Sequence, residues 1–138
     1  MVIALGSCAH LVVLRDPLSA NEHNDLGVAY ESSGQSALAI REYRKSLSMD
    51  PHQDRVRVNL GNAEAAEGRW RDAEKSYRRA LLDAPGNADA QNNLAVALLR
   101  QGRNREEARA LAASAAAGGG ERDSIYRATV AEVDRWHP

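Results

Sequence analysis

A spacing of 34 residues organises this chain. Leu26 returns as Leu60 and Leu94, Ala29 as Ala63 and Ala97, and Gly34 as Gly68 and Gly102. Gly27 returns as Gly61, Ala39 as Ala73, Tyr43 as Tyr77, Leu47 as Leu81 and Pro51 as Pro85. A fixed period in this range marks small supersecondary units stacked side by side, none of which can bury its apolar face alone. Such a stack offers a surface to a partner and has no built-in reaction centre. The repeat therefore constrains how the chain binds far more than what it binds.

Within each period the pattern is that of a helix pair. Ser19 followed by Glu22 has the form of a capping box. Leu26, Ala29 and Tyr30 then share one helical face. Gly34 suits a left-handed helix end, and Ser36 is expected to cap the next helix. Leu38, Ile40, Tyr43 and Leu47 carry that second helix to Asp50-Pro51, where proline stops it. The same pair is expected over 54–84 and again over 88–117. Between Gly102 and Ala108 there is one more residue than between Gly68 and Ala73, and the insertion should fall in the turn, where it costs least. Gly118-Gly119-Gly120 ends the third pair. Ile125, Tyr126, Thr129, Val133 and Trp136 then line one side of a seventh helix, a half-polar cover for the open end of the stack. The expected organisation is an apolar arm over 1–18, repeat units over 20–53, 54–87 and 88–117, and a glycine linker with a capping helix over 118–138.

Composition narrows the function. The net charge is -1, which argues against nucleic acid, whose recognition needs a strong basic field. Arg69, Arg71, Arg78 and Arg79 are interleaved with Asp72, Glu74 and Asp83, as on a solvated mixed-charge face. No apolar run approaches the ~18 residues of a membrane-spanning helix. Cys8 is the single cysteine, so an internal disulfide and a multi-cysteine zinc site are both excluded. His10, His23, His52 and His137 are scattered, and neither an HExxH motif nor a phosphate-binding loop is present. Cys8 and His10 lie two apart without a third orienting group and make a poor nucleophile–base pair. The expectation is a non-enzymatic chain with no cofactor and no metal.

The repeated residues resemble the tetratricopeptide repeat (TPR), whose signature is an early aromatic, Leu-Gly, a tyrosine, then alanine, an aromatic and a closing proline. The first unit shows Leu26-Gly27, Tyr30, Ala39, Tyr43 and Pro51. The second shows Leu60-Gly61, Ala73, Tyr77, Ala80 and Pro85. The third keeps Leu94, Ala95 and Ala108. His23, Arg57 and Gln91 stand where the family has its early tryptophan, and Glu64 and Leu98 replace the first tyrosine in units two and three. The resemblance implies an all-α solenoid of three helical hairpins plus the capping helix. Gly27 and Gly61 let a neighbouring helix approach the backbone, and Tyr43 and Tyr77 are expected to fill the space between one unit and the next.

In the family the first helix of each hairpin lines a concave groove. That correspondence places Asn21, Asn24, Asp25 and Val28 of unit one there, with Arg55, Asn59 and Asn62 of unit two. Unit three contributes Asn92, Asn93, Val96 and Arg100. An asparagine amide both donates and accepts, so such a row can hold the backbone of an extended peptide. The implied partner is a protein or peptide. Some relatives grip the terminal carboxylate of a chaperone tail with cations, but Asn24, Asp89 and Asn93 stand at those places, and the Asp89 carboxylate is expected to repel such a tail. Self-association through the alanine-rich stretch 108–117 is an alternative.

Leu5-Gly6-Ser7-Cys8 resembles a lipobox, the site at which bacterial lipoprotein signal peptides are cut before a lipid-carrying cysteine. Seven residues precede Cys8 and none is basic, whereas a signal peptide has a basic start and a longer apolar run, so this reading places the start upstream of Met1. The resemblance implies a lipid anchor on Cys8 in the bacterial envelope, with Ala9 pointing to the outer membrane. The alternative is a buried apolar segment with an inert Cys8, in a cytosolic adaptor.

Overall fold

The computed structural model describes residues 16–136. The proposed lipidation site, Cys8, lies outside them. Seven helices follow one another: α1 Ala20–Ser32, α2 Ser36–Met49, α3 Asp54–Ala66, α4 Trp70–Asp83, α5 Ala88–Arg100, α6 Arg105–Ala117 and α7 Asp123–Arg135. No strand occurs among the described residues.

The start of α1 is a true capping box. The Ser19 hydroxyl accepts from the Glu22 amide at 3.3 Å while the Ser19 amide donates to the Glu22 carboxylate at 2.7 Å, a device worth about 1 kcal/mol. Ser36 does not cap α2. It is the first helical residue, and Gln35 holds the capping position without a side-chain bond. Asn87 caps α5, accepting from the Ala90 amide at 2.9 Å.

The first helix of each hairpin ends in the same way. Gly34, Gly68 and Gly102 take φ of +75°, +71° and +64°, the left-handed conformation that costs glycine little. The next amide, of Gln35, Arg69 or Arg103, then reaches back to the carbonyl of Tyr30, Glu64 or Leu98. The extra residue of unit three falls in this turn, where Asn104 is also left-handed at φ 52°.

Each helix packs on its chain neighbours. In addition α1 touches α3, α3 touches α5, and α5 touches α7, whereas the backbones of α2, α4 and α6 stay apart, α4 and α6 being bridged by the Arg78–Glu107 side chains. The odd-numbered helices thus form an inner row and the even-numbered ones an outer, more widely spaced row, which curves the stack around a concave inner face. α7 takes the inner-row place that the first helix of a fourth unit would hold. Its buried side is Tyr126, Thr129 and Val133. Ile125, expected on that side, is 56% exposed.

Gly27 and Gly61 permit close approach, but within a hairpin. A Cβ on Gly27 would lie 2.5 Å from the ring of Tyr43, and one on Gly61 would meet the ring of Tyr77. Each tyrosine therefore lies across the glycine of its own unit. The same rings also belong to the apolar clusters that join successive units. One cluster holds Ala39, Ile40, Tyr43, Val56, Leu60 and Ala63. The larger one gathers Tyr77, Leu94, Leu98, Val133 and a series of buried alanines from α4, α5 and α6.

The missing tryptophans are replaced by bonded polar groups. His23 is fully buried; its Nδ1 is hydrogen-bonded to Glu42 at 2.8 Å, while its Nε2, 3.3 Å from Asp16, makes no hydrogen bond. Arg57 pairs with Asp83 at 3.2 Å and donates to the Pro51 carbonyl. Gln91 donates to the Pro85 carbonyl at 2.9 Å. Glu64, at a tyrosine position, accepts from Arg44 at 2.8 Å and from Ser76 at 2.7 Å. Buried polar groups are tolerated when bonded in this way.

Candidate functional site on the concave face

The inner row brings asparagines of successive units into contact. Asn59 donates its side-chain amide to the Asn24 carbonyl at 3.2 Å, which joins units one and two. Asn93 donates to the Asn62 carbonyl at 2.9 Å, which joins units two and three. The Tyr77 hydroxyl donates to that same Asn62 oxygen at 2.9 Å. Burial, with Glu64 and Glu31 nearby, holds the Tyr77 phenol far above its usual range, so it is a neutral donor at any working pH. With its oxygen doubly occupied, the Asn62 amide nitrogen has no protein partner among the described residues.

Two adjoining hollows share Asn62 and Asn93. One, of about 230 Å³, is lined by Arg55, Val58, Asn59, Asn62, Asn87, Asp89, Asn93 and Arg122. The other, of about 210 Å³, is lined by Asn62, Ala65, Trp70, Tyr77, Asn93 and Val96. The first is polar and cationic at its edges. The second is lined by Ala65, Trp70, Tyr77 and Val96 together with the two amides.

Asp89 does not stand in the groove as a lone carboxylate. Its Oδ1 accepts from Arg122 at 2.6 Å and from the Tyr126 hydroxyl at 2.7 Å. The bond to Asp89 raises the Arg122 guanidinium further above its ordinary value. Burial and the same carboxylate raise the Tyr126 phenol. The expected repulsion of an incoming carboxylate is thus largely cancelled by the capping helix. Arg55, in contrast, is exposed and has no carboxylate partner among the described residues.

The expected groove residues divide four ways. Arg55, Asn59, Asn62, Asn93 and Val96 line the two hollows. Asn24 and Asn92 were expected on the groove surface but are 4% and 5% exposed. They sit behind it, Asn24 donating to Asp25 at 3.2 Å and Asn92 to Asn93 at 3.3 Å. Val28, 42% exposed, Asn21 and Asp25 are open on unit one. Arg100 faces Glu132 of α7 at 3.8 Å. Reasoning from repeat positions missed Arg122, which precedes a helix and has no counterpart in the earlier units, and Trp70, at the first position of an outer-row helix.

Larger hollows occur on the outer face, and most of their charged groups are already paired. In one of about 500 Å³, Arg41, Arg44, Lys45 and Arg69 pair with Glu42, Glu64, Asp16 and Asp72. In another, of about 530 Å³ with leucine walls, Arg78 is held by Glu74 and Glu107 at 3.0 and 2.6 Å. The concave face is where an unengaged amide nitrogen and an unpaired guanidinium line one hollow. Among the described residues no cluster of His, Cys, Asp or Glu has metal-site geometry, and no helix is long and apolar enough to cross a membrane.

Known proteins support the architecture. Family models described as Tetratricopeptide repeat match residues 23–53 and 58–122. No curated protein matches the chain significantly. Among solved structures the chain is similar to the Sgt2 TPR domain from Aspergillus fumigatus, at 18% identity and TM-score 0.76, covering 84% of this chain and 77% of that one. It is also similar to the second TPR domain of human RPAP3 in complex with an HSP70 peptide, at 18% identity and TM-score 0.76, covering 85% and 96%. A third similar structure is the Yersinia enterocolitica type III secretion chaperone SycD in complex with a peptide of the translocator YopD, at 18% identity and TM-score 0.75, covering 83% and 91%. The repeat, the inner and outer rows and the two family matches agree: this chain belongs to the tetratricopeptide repeat family.

Proposed function

We propose that this protein is a non-catalytic interaction module that holds a peptide segment of a protein partner along its concave face. The observation that carries the reading is the row of inter-unit asparagines, which is preorganised by bonds among its own members and still has a free Asn62 donor and a free Arg55 guanidinium. Fixed donors lose little freedom when a ligand arrives, which favours binding. The similar structures of human RPAP3 and Yersinia SycD, each solved with a peptide, are consistent with this use of the fold.

A photo-crosslinking amino acid tests the location. Placed at Asn59, it captures a partner in the source cell; placed at Ser48 on the outer face, it captures none. Capture from Ser48 alone would move the binding surface to the outer row.

The same reading places the module at a bacterial membrane through a lipid on Cys8. Its support is Leu5-Gly6-Ser7-Cys8 alone. Mass spectrometry of the native protein decides: a diacylglyceryl group on Cys8 supports the anchor, and an unmodified thiol makes the module a soluble adaptor.

A further inference from the structure

We infer that the concave face selects an extended segment carrying a bulky apolar side chain next to an acidic one, with the apolar group in the Trp70–Val96 hollow and the carboxylate beside Arg55. This inference rests on the concave face being the binding surface.

The apolar half of the inference comes from the 210 Å³ hollow, whose walls are Ala65, Trp70, Tyr77 and Val96. That space exceeds the ~150 Å³ of an apolar cavity able to take benzene, so it admits one leucine, methionine or phenylalanine side chain. Trp70 is only half-buried there and gains contact area when the hollow fills. Aromatic walls of this kind are common anchor sites in interfaces.

The acidic half comes from an accounting of donors. In the 230 Å³ hollow, Arg122 is committed to Asp89, and the Asn87 amide donates to Asp54 at 2.8 Å. The Asn93 amide gives one of its two N–H groups to Asn62, and the Asn59 amide gives one to Asn24. Among the described residues, the Arg55 guanidinium and the Asn62 amide nitrogen are the lining donors with no bond at all, and the lining side chains (Arg55, Arg122 and Asp89) carry one net positive charge. A carboxylate side chain satisfies both, since guanidinium and carboxylate match in geometry. A lysine there would meet Arg55 directly.

The two hollows share Asn62 and Asn93. Their occupants must therefore lie close along the ligand. Alternate residues of an extended chain point the same way and lie about 7 Å apart, so the two side chains fall one or two positions apart.

The test selects phage-displayed random nonapeptides on the full chain, then resynthesises the enriched sequences with both termini blocked, so that no terminal carboxylate contributes. The expected result is a bulky apolar residue one or two positions from Asp or Glu. Replacing either by alanine should weaken binding about tenfold, the worth of one good anchor contact. The surface variant Arg55→Glu should reverse the charge preference toward lysine. Enriched peptides that lack the pair, or a charge preference indifferent to Arg55→Glu, overturn this inference but leave the concave surface standing if Asn59→Ala with Asn93→Ala still abolishes binding. No enrichment, or binding untouched by that double variant, overturns both.

Discussion

Asn93 and Asn62 are joined by a 2.9 Å side-chain hydrogen bond across the boundary between the second and third units. The oxygen that accepts it also accepts from Tyr77 at 2.9 Å, so one atom ties α3, α4 and α5 together. Asn62→Ala leaves two donors without a partner and should lower stability by about 1–2 kcal/mol. Asn62→Asp keeps the acceptor, and its loss should stay below about 0.5 kcal/mol near neutral pH. Urea denaturation followed by circular dichroism separates the two, and equal losses would show that the shared oxygen is not what matters.

Gly61 tests a contest between two effects. Alanine in a helix interior is favoured over glycine by about 1 kcal/mol. The added methyl, however, would meet Tyr77, with the ring's Cδ1 at 2.8 Å, and that ring is only 3% exposed. Overpacking of this kind costs about 1–3 kcal/mol, so Gly61→Ala should be net destabilising. Gly86, which has open space at its Cβ, is the control: Gly86→Ala should leave the melting temperature nearly unchanged.

His23 links the segment before α1 to α2, through Asp16 and Glu42. His23→Ala removes the group that faces the buried Glu42 carboxylate. Arg41 still bonds Glu42 at 2.9 Å, so the loss is that of one buried hydrogen bond together with its packing, about 1–3 kcal/mol. Adding Glu42→Gln should recover part of that loss, because a buried carboxylate that has lost one of its partners is replaced by a neutral amide. A double variant no better than His23→Ala would show that packing, rather than charge, is what the histidine supplies.

Acid should weaken the fold. For Glu42 and Glu74, burial works to raise the carboxyls, but hydrogen bonds from His23 and Arg41 to the one, and from Gln101 and Arg78 to the other, bring both below the ordinary 4.5. The hydrogen bonds from Arg78 lower Glu107 as well. A lowered carboxyl binds its proton less tightly in the folded chain than in the unfolded one. Its stabilisation is complete above the ordinary value and drains away as the pH falls through the lowered one. The melting temperature should therefore drop as the pH falls below the ordinary 4.5 of these carboxyls, and Glu74→Gln should make that drop shallower. A flat profile would contradict the assignment of these pairs.

The helices and their order were legible because the repeat prints each decisive residue more than once: Gly34, Gly68 and Gly102 at the turns, Leu60 and Leu94 in the core. Depth was harder to read than direction. Asn24 and Asn59 both lie on the inner row, yet burial depends on how closely the next helix approaches, and only Asn59 reaches the hollow. The tyrosines were placed by analogy between units, whereas the ring of Tyr43 spans the shorter gap to Gly27 of its own hairpin. Arg122 was invisible because no repeat position marks it. Its role depends on a capping helix returning to α5, a contact between residues far apart in the chain.

The apolar interior comes in two separate clusters, a small one seating the first hairpin and a larger one running from the second hairpin to the cap. Contacts in such an array reach only to the next neighbours, so cooperativity has to be handed along link by link. The first hairpin is seated by the smaller of the two clusters. Under heat or mechanical pull it can unzip as a unit while the remaining five helices stay closed, and with them the hollows that Asn62 and Asn93 share. Loss at that end would shorten the molecule without disarming it.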